Sequence, residues 1–182
     1  MKTAYFWLTP QGQQLAEQLQ AHFGGTVEPK ADFAEAVRRA FADCDALVFI
    51  MAAGIVVRTI APLVQSKASD PAVLVLDQRG KYVISLLSGH LGGANAMAEQ
   101  AAAYLGGEAV ITTATDVEHV PAFDLFAKEN HLTIENLEEL KYISGALVAG
   151  EPVSLCTAFP VEKNAFPETV QLQPFSETPR HA

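Results

Sequence analysis

Residues Ala46-Leu47-Val48-Phe49-Ile50 form an unbroken apolar run of strand length. A strand wetted on one face alternates polar and apolar residues. A run without alternation needs burial on both faces, the situation of a strand inside a parallel sheet with helices above and below. Ala72-Val73-Leu74-Val75-Leu76 repeats the pattern. Helical spacing fills the intervals. Leu15, Leu19 and Phe23 follow Thr9-Pro10, an N-cap with proline at the first helical position, and Phe33, Val37 and Phe41 follow Ala31-Asp32. A third helix is predicted through Ile55, Arg58, Ile60 and Leu63, across Pro62, and an alanine-rich one from Ala94 to Tyr104. Strands alternating with helices predict an α/β fold, a three-layer α/β/α arrangement on a mostly parallel sheet. One hairpin is expected, where Gln78-Arg79-Gly80-Lys81 turns into Tyr82-Val83-Ile84-Ser85.

With 182 residues, nearly half of them apolar, the chain can bury a core without a metal or disulfide staple. Residues 1–129 read as the α/β domain, 130–158 as the start of a second unit, and 159–182 as a proline-rich tail, extended or disordered. Cys44 and Cys156 are far apart and outside any CxxC pair, so they read as two buried thiols in a reducing cytoplasm. No apolar run reaches the roughly 18–20 residues needed to span a bilayer, which argues against a membrane partner. A net charge of −9, with no basic cluster beyond Arg38-Arg39, argues against nucleic acid. Such a chain can still bind an acidic small molecule through glycine loops and a few cations, since salt screens the overall field within about 8 Å.

The chemistry concentrates in Ser88-Gly89-His90-Leu91-Gly92-Gly93-Ala94-Asn95, where a hydroxyl, an imidazole, an amide and three glycines share one strand-to-helix turn. Here His90 is a general base or an axial contact to a bound metal chelate, with Ser88 and Asn95 orienting a carbonyl or carboxylate; or Ser88 caps a helix, Asn95 ties the loop and His90 is exposed. Gly54 with Arg58 is either an anion nest with a guanidinium one turn on, or a tight turn and a solvated arginine. Thr112-Thr113-Ala114-Thr115-Asp116 either meets a ligand or caps the next helix. These three loops are expected at strand C-termini along one shared edge, where open sheets place ligands. The Asp77–Lys81 turn is expected elsewhere, and Lys67 and Asp70 read as end-of-helix charges. His22, His119 and His131 read as structural. No GxxxxGK[ST], GxGxxG or G-x-S-x-G signature is present.

Four runs in order resemble the CbiG family of cobalamin biosynthesis: Ala53-Gly54-Ile55-Val56-Val57-Arg58-Thr59-Ile60-Ala61-Pro62-Leu63, Lys67 with Asp70-Pro71-Ala72-Val73, Leu86 to Asn95, and Ile111 to Asp116. The likeness is dense from Phe49 to Asp124 and looser from Ile134 to Leu155, the start of that family's central region. It implies cobalt-precorrin-5A hydrolase activity in the anaerobic branch: opening the δ-lactone of a cobalt-bound macrocycle and releasing acetaldehyde. In such a reaction His90 would be the base, Asp116 a second proton-transfer group, and Ser88 or Asn95, with the main-chain N–H groups of Gly89, Gly92 and Gly93, the donors to an oxyanion or carboxylate. Gly54, Arg58, Thr112, Thr113 and Thr115 would hold the acidic side chains of this anionic corrinoid. Cobalt would enter as part of the substrate, with no cofactor or metal held by protein ligands alone. The family's usual C-terminal domain is not in this chain: either a separate polypeptide supplies it as a partner, or the chain is a fragment or a degenerate copy. The alternatives are a non-catalytic corrinoid- or tetrapyrrole-binding module and a flavodoxin-like nucleotide-binding domain.

Overall fold

The computed structural model describes residues 1–66, 69–161 and 166–175, and the chain divides into two compact units between Thr112 and Thr113. The first unit runs β1 (Thr3–Trp7), α1 (Pro10–Phe23), β2 (Thr26–Val27), α2 (Phe33–Asp43), β3 (Ala46–Ile50), α3 (Ala53–Ile60), β4 (Ala72–Leu76), β5 (Tyr82–Leu87), α4 (Ala94–Leu105) and β6 (Glu108–Val110). Its sheet has the order β2-β1-β3-β4-β5-β6. The first four of these strands in the order are parallel; β5 is antiparallel to β4, and β6 is parallel to β5.

The two unbroken apolar runs are β3 and β4, buried at all five positions each. Leu15, Leu19 and Ala98 of α1 and α4 cover Tyr5, Val48 and Leu74 on one face. Val37, Val56 and Ile60 of α2 and α3 cover Phe6, Phe49 and Val75 on the other, the three-layer arrangement expected. Full burial of such side chains stabilises by roughly 1.5–3 kcal/mol each, so these central strands carry most of the core. On the second face Phe6 stacks on Phe49 at 5.0 Å and meets Phe33 edge-on at 6.0 Å.

Thr9 caps α1, its Oγ1 accepting the Gly12 N–H at 3.1 Å. α3 stops at Ile60 rather than crossing Pro62, because proline has no N–H to donate and its ring collides with the preceding turn. The two-residue β2 carries no periodicity and was invisible to it.

The second unit contains α5 (Ala114–Val117), α6 (Phe123–Glu129), a 3-10 turn (Leu137–Glu139), α7 (Leu140–Val148), β7 (Val153–Thr157) and β8 (Val170–Pro174). The expected boundary at 129 falls inside it, because α5 and α6 pack on α7. Part of the expected tail is also ordered: β8 pairs in parallel with β7, Val153 opposite Val170. Pro179 and His181 lie outside the described residues, as does Lys67.

The expectation of two buried thiols fails. β7 is exposed at alternate positions, which puts Cys156 in solvent, while Cys44 at the end of α2 is half-buried. Burial pushes the Cys44 thiol up. Among the described residues no helix is long and apolar enough to cross a membrane.

Candidate functional site

The direction of β5 decides where the polar loops go. Leu87, the last residue of β5, pairs with Val73 near the start of β4. The Ser88–Gly93 turn therefore emerges at the N-terminal ends of β3 and β4, and β6, parallel to β5, delivers exposed Thr112 to the same edge. Gly54 and Arg58 follow β3 at the opposite edge, and the Asp77–Lys81 turn follows β4 there too. A five-residue strand keeps the edges about 15 Å apart. The single shared edge expected for the first three loops is thus corrected. The hairpin reverses β5 and β6, so Asp77–Lys81 joins Gly54 and the glycine turn does not.

The glycine turn is braced from within. Ser88 is buried at φ +59° and donates its hydroxyl to the Asp70 carbonyl at 2.9 Å. Asp70 is buried too. Its carboxylate accepts the N–H groups of Gln65 and Ser66 at 2.9 and 3.0 Å, so it organises the approach to β4 rather than sitting as a solvated end-of-helix charge. Buried Asn95 accepts the Ser85 hydroxyl at 2.6 Å. A Cβ on Gly89 would come within 2.7 Å of Asn95 Oδ1, and one on Gly92 would collide with the Ser88 side chain and lie 2.7 Å from its carbonyl.

The start of α4 is satisfied by this turn. Gly93, at φ +85°, donates its N–H to the His90 carbonyl at 3.0 Å. The N–H groups of Ala94 and Asn95 reach the carbonyls of Ser88 and Gly89 at 3.2 and 3.0 Å. These donors hold the loop and are not presented to an anion. The half-buried His90 imidazole is carried on this braced turn, which suits it to proton transfer.

Thr113, Thr115 and Asp116 belong to the second unit. There the Thr113 carbonyl accepts the N–H groups of Asp116 and Val117, Thr115 is buried and Asp116 is half-buried. His119 and His131 take positive φ just past α5 and α6, and in the first unit His22 stacks on Tyr104 at 3.9 Å.

At the other edge, Arg58 Nη1 donates to the Gly54 carbonyl at 2.6 Å, one turn back along α3. At this edge opens a cleft of about 440 Å³ lined by Leu8, Thr9, Ala53, Ile55, Gln78 and Tyr82 among others. Sequence reasoning passed over Thr9, Gln78 and Tyr82. The available signal was that β1, β3 and β4 are parallel, so their C-terminal ends meet. Among the described residues no group of three or more His, Cys, Asp or Glu is arranged to hold a metal ion.

Fold and edges together define an α/β domain on a mostly parallel six-stranded sheet, followed by a smaller second unit. Residues 35–116 match the family described as Cobalamin synthesis G N-terminal, and residues 121–181 that described as Cobalamin biosynthesis central region. The chain belongs to the CbiG family through these two consecutive domains. It is 44% identical over 165 residues to the cobalt-precorrin-5A hydrolase of Salmonella typhimurium, covering 84% of this chain and 47% of that enzyme. Identity to the cobalt-precorrin-5A hydrolase of Priestia megaterium is 43% over 109 residues, covering 60% of this chain and 29% of that one. The crystal structure of a cobalamin biosynthesis protein G homolog from Sulfolobus solfataricus matches with a TM-score of 0.55 at 27% identity, covering 93% of this chain and 52% of that chain. The chain spans about half the length of these relatives, or less.

Proposed function

We propose that this chain acts in the anaerobic branch of cobalamin biosynthesis as the N-terminal and central part of a cobalt-precorrin-5A hydrolase. The observation that carries this reading is 44% identity over 165 residues to an enzyme of that name, spanning both CbiG domains in order. In the reaction, water adds to the δ-lactone carbonyl and the acyl C–O bond breaks. A carboxylate forms, and the methylated bridge carbon keeps a hydroxyl. Loss of that hydroxyl proton then cleaves the adjacent C–C bond. Its electron pair goes to the macrocycle carbon, which takes up a proton, and the two-carbon fragment leaves as acetaldehyde.

Both stages need a base, and we assign that role to His90. A positioned base is typically worth 10²–10⁴-fold, and each oxyanion donor about 2.7–4 kcal/mol. The main-chain N–H groups of Gly89 and Gly92 are our donors to the oxyanion. Ser88 and Asn95, bonded to Asp70 and Ser85, act by holding the turn. Thr112, on the same edge, binds an acidic side chain of the substrate. In the second unit, residue chemistry alone supports proton transfer at Asp116 and carboxylate binding at Thr113. Buried Thr115 receives no role. Cobalt enters inside the substrate, and the reaction is set in the cytoplasm.

A second reading, a non-catalytic corrinoid-binding module, is favoured by one fact: the chain covers 47% of the Salmonella enzyme. Anaerobic incubation of the 182-residue chain with cobalt-precorrin-5A separates the two. Acetaldehyde over many turnovers supports the hydrolase. A shifted corrinoid spectrum without acetaldehyde supports the binding part, and neither signal overturns both.

A further inference from the structure

The sheet edge opposite the glycine turn is left unused by the reaction proposed above. It lies where the winding of the chain reverses. β1 feeds α1 onto one face and leads out to β2, whereas β3 feeds α3 onto the other face and leads to β4. Helices leaving neighbouring parallel strands in opposite directions open a crevice between their first turns. Here the crevice is the cleft of about 440 Å³, within the range of small-molecule sites. Ile55 and Tyr82 wall it and remain 39% and 41% exposed. Its polar side is Thr9, whose hydroxyl donates to Gln78 Oε1 at 3.2 Å.

Cations cluster at this edge. Lys30 Nζ donates to the carbonyl of cleft residue Leu8 at 2.9 Å, and Lys81 Nζ lies 4.8 Å from the centre of the Tyr82 ring. Arg58 is bonded to Gly54 at the start of α3, and Arg79 follows Gln78. Lys30 and Lys81 thus contact residues that line the cleft, and Arg58 and Arg79 stand next in sequence or one turn away from others that do. Among the described residues the one carboxylate lining the cleft is Asp77, engaged by the main-chain N–H groups of Arg79 and Tyr82 at 2.8 and 2.7 Å. An apolar interior edged with cations complements a molecule with an apolar body and a carboxylate.

We propose that this cleft is a second binding site, distinct from the glycine turn, for a small apolar carboxylate. Its ring body packs against Ile55 and Tyr82, and its carboxylate meets the Arg58 guanidinium, which reaches back from the last turn of α3 to the Gly54 carbonyl beside Ile55.

Calorimetric titration of the full chain with 2-naphthoate, and with the uncharged 2-naphthalenemethanol, tests the site. Saturable binding of one naphthoate is expected, about tenfold tighter than the alcohol because a charge-assisted hydrogen bond is lost in the latter. Arg58→Gln should erase that preference and leave alcohol binding unchanged. Ile55→Glu, at an exposed position that keeps the fold intact by circular dichroism, should weaken both ligands. His90→Ala should weaken neither. No saturable binding at millimolar naphthoate overturns the proposal, as does unchanged binding in both α3 variants or loss of binding in His90→Ala. Acetaldehyde release reads the hydrolase separately.

Discussion

Ser88 donates its hydroxyl to the main-chain carbonyl of Asp70 at 2.9 Å, eighteen positions away in sequence, from a backbone held at φ +59°. The bond ties the glycine turn to the approach of β4. Ser88→Ala keeps the left-handed backbone and leaves a buried carbonyl unpaired, a loss of roughly 1–3 kcal/mol. Ser88→Gly loses the same bond but relieves a conformation costing roughly 1–2 kcal/mol for a residue with a Cβ. Urea unfolding should therefore rank the glycine variant above the alanine variant. The reverse order would show that no strain is stored at Ser88.

Adjacent glycines of the turn should respond differently to a methyl group. At Gly92 the new Cβ meets the Ser88 side chain and carbonyl, and backbone cannot give way, so Gly92→Ala should cost about 3 kcal/mol or more. At Gly93 the space is open and only φ +85° opposes substitution, so Gly93→Ala should cost roughly 1–2 kcal/mol. Equal thermal midpoints for the two would contradict this packing.

Tyr5 is fully buried, and its hydroxyl has no hydrogen-bond partner among the described residues. Burial pushes its pKa up from 10.0 to about 12. The fold favours the neutral phenol, whereas the unfolded chain ionises near 10. The stability this contributes is complete below about pH 10 and is lost as pH rises towards 12. Tyr5→Phe should gain about 1 kcal/mol at pH 7, since it removes an unpaired buried hydroxyl, and should flatten the alkaline decline. Urea midpoints at pH 7 and pH 11 check both effects. A variant as alkali-sensitive as the parent would exclude Tyr5 as the source.

If His90 is the base, His90→Ala should lower acetaldehyde release by about 10²–10⁴-fold. Circular dichroism should show the fold retained. Full turnover in the variant would remove His90 from the chemistry.

The layers and central strands were legible in sequence because Ala46–Ile50 and Ala72–Leu76 lack alternation, a pattern that only two-sided burial tolerates. Thr9-Pro10 marked α1, and the alanine-rich stretch from Ala94 to Tyr104 formed α4. The edges were misread. Residues 78–81 were recognised as a hairpin turn, yet its consequence, reversal of both following strands, moves Ser88 and Thr112 away from Gly54. β8 was hidden because its pairing to β7 is a contact between residues 17 positions apart, as in Val153 with Val170, and local composition there is dominated by prolines. Cys156 was misplaced because thiol burial follows from what covers a strand, which the sequence of β7 does not state.

β4 stands between two aspartates that each secure a turn, Asp70 before it and Asp77 after it. The strand consequently works as a ruler. Removing two residues from its middle, together with two from the paired stretch of β5, would preserve which side chains face which helix layer, since the pleat repeats every two. It would also draw the glycine turn and the Arg79 turn together by about 7 Å. The paired lengths of β4 and β5 thus set the distance between the two rims, as a length that can be shortened in fixed steps without changing what either rim is made of.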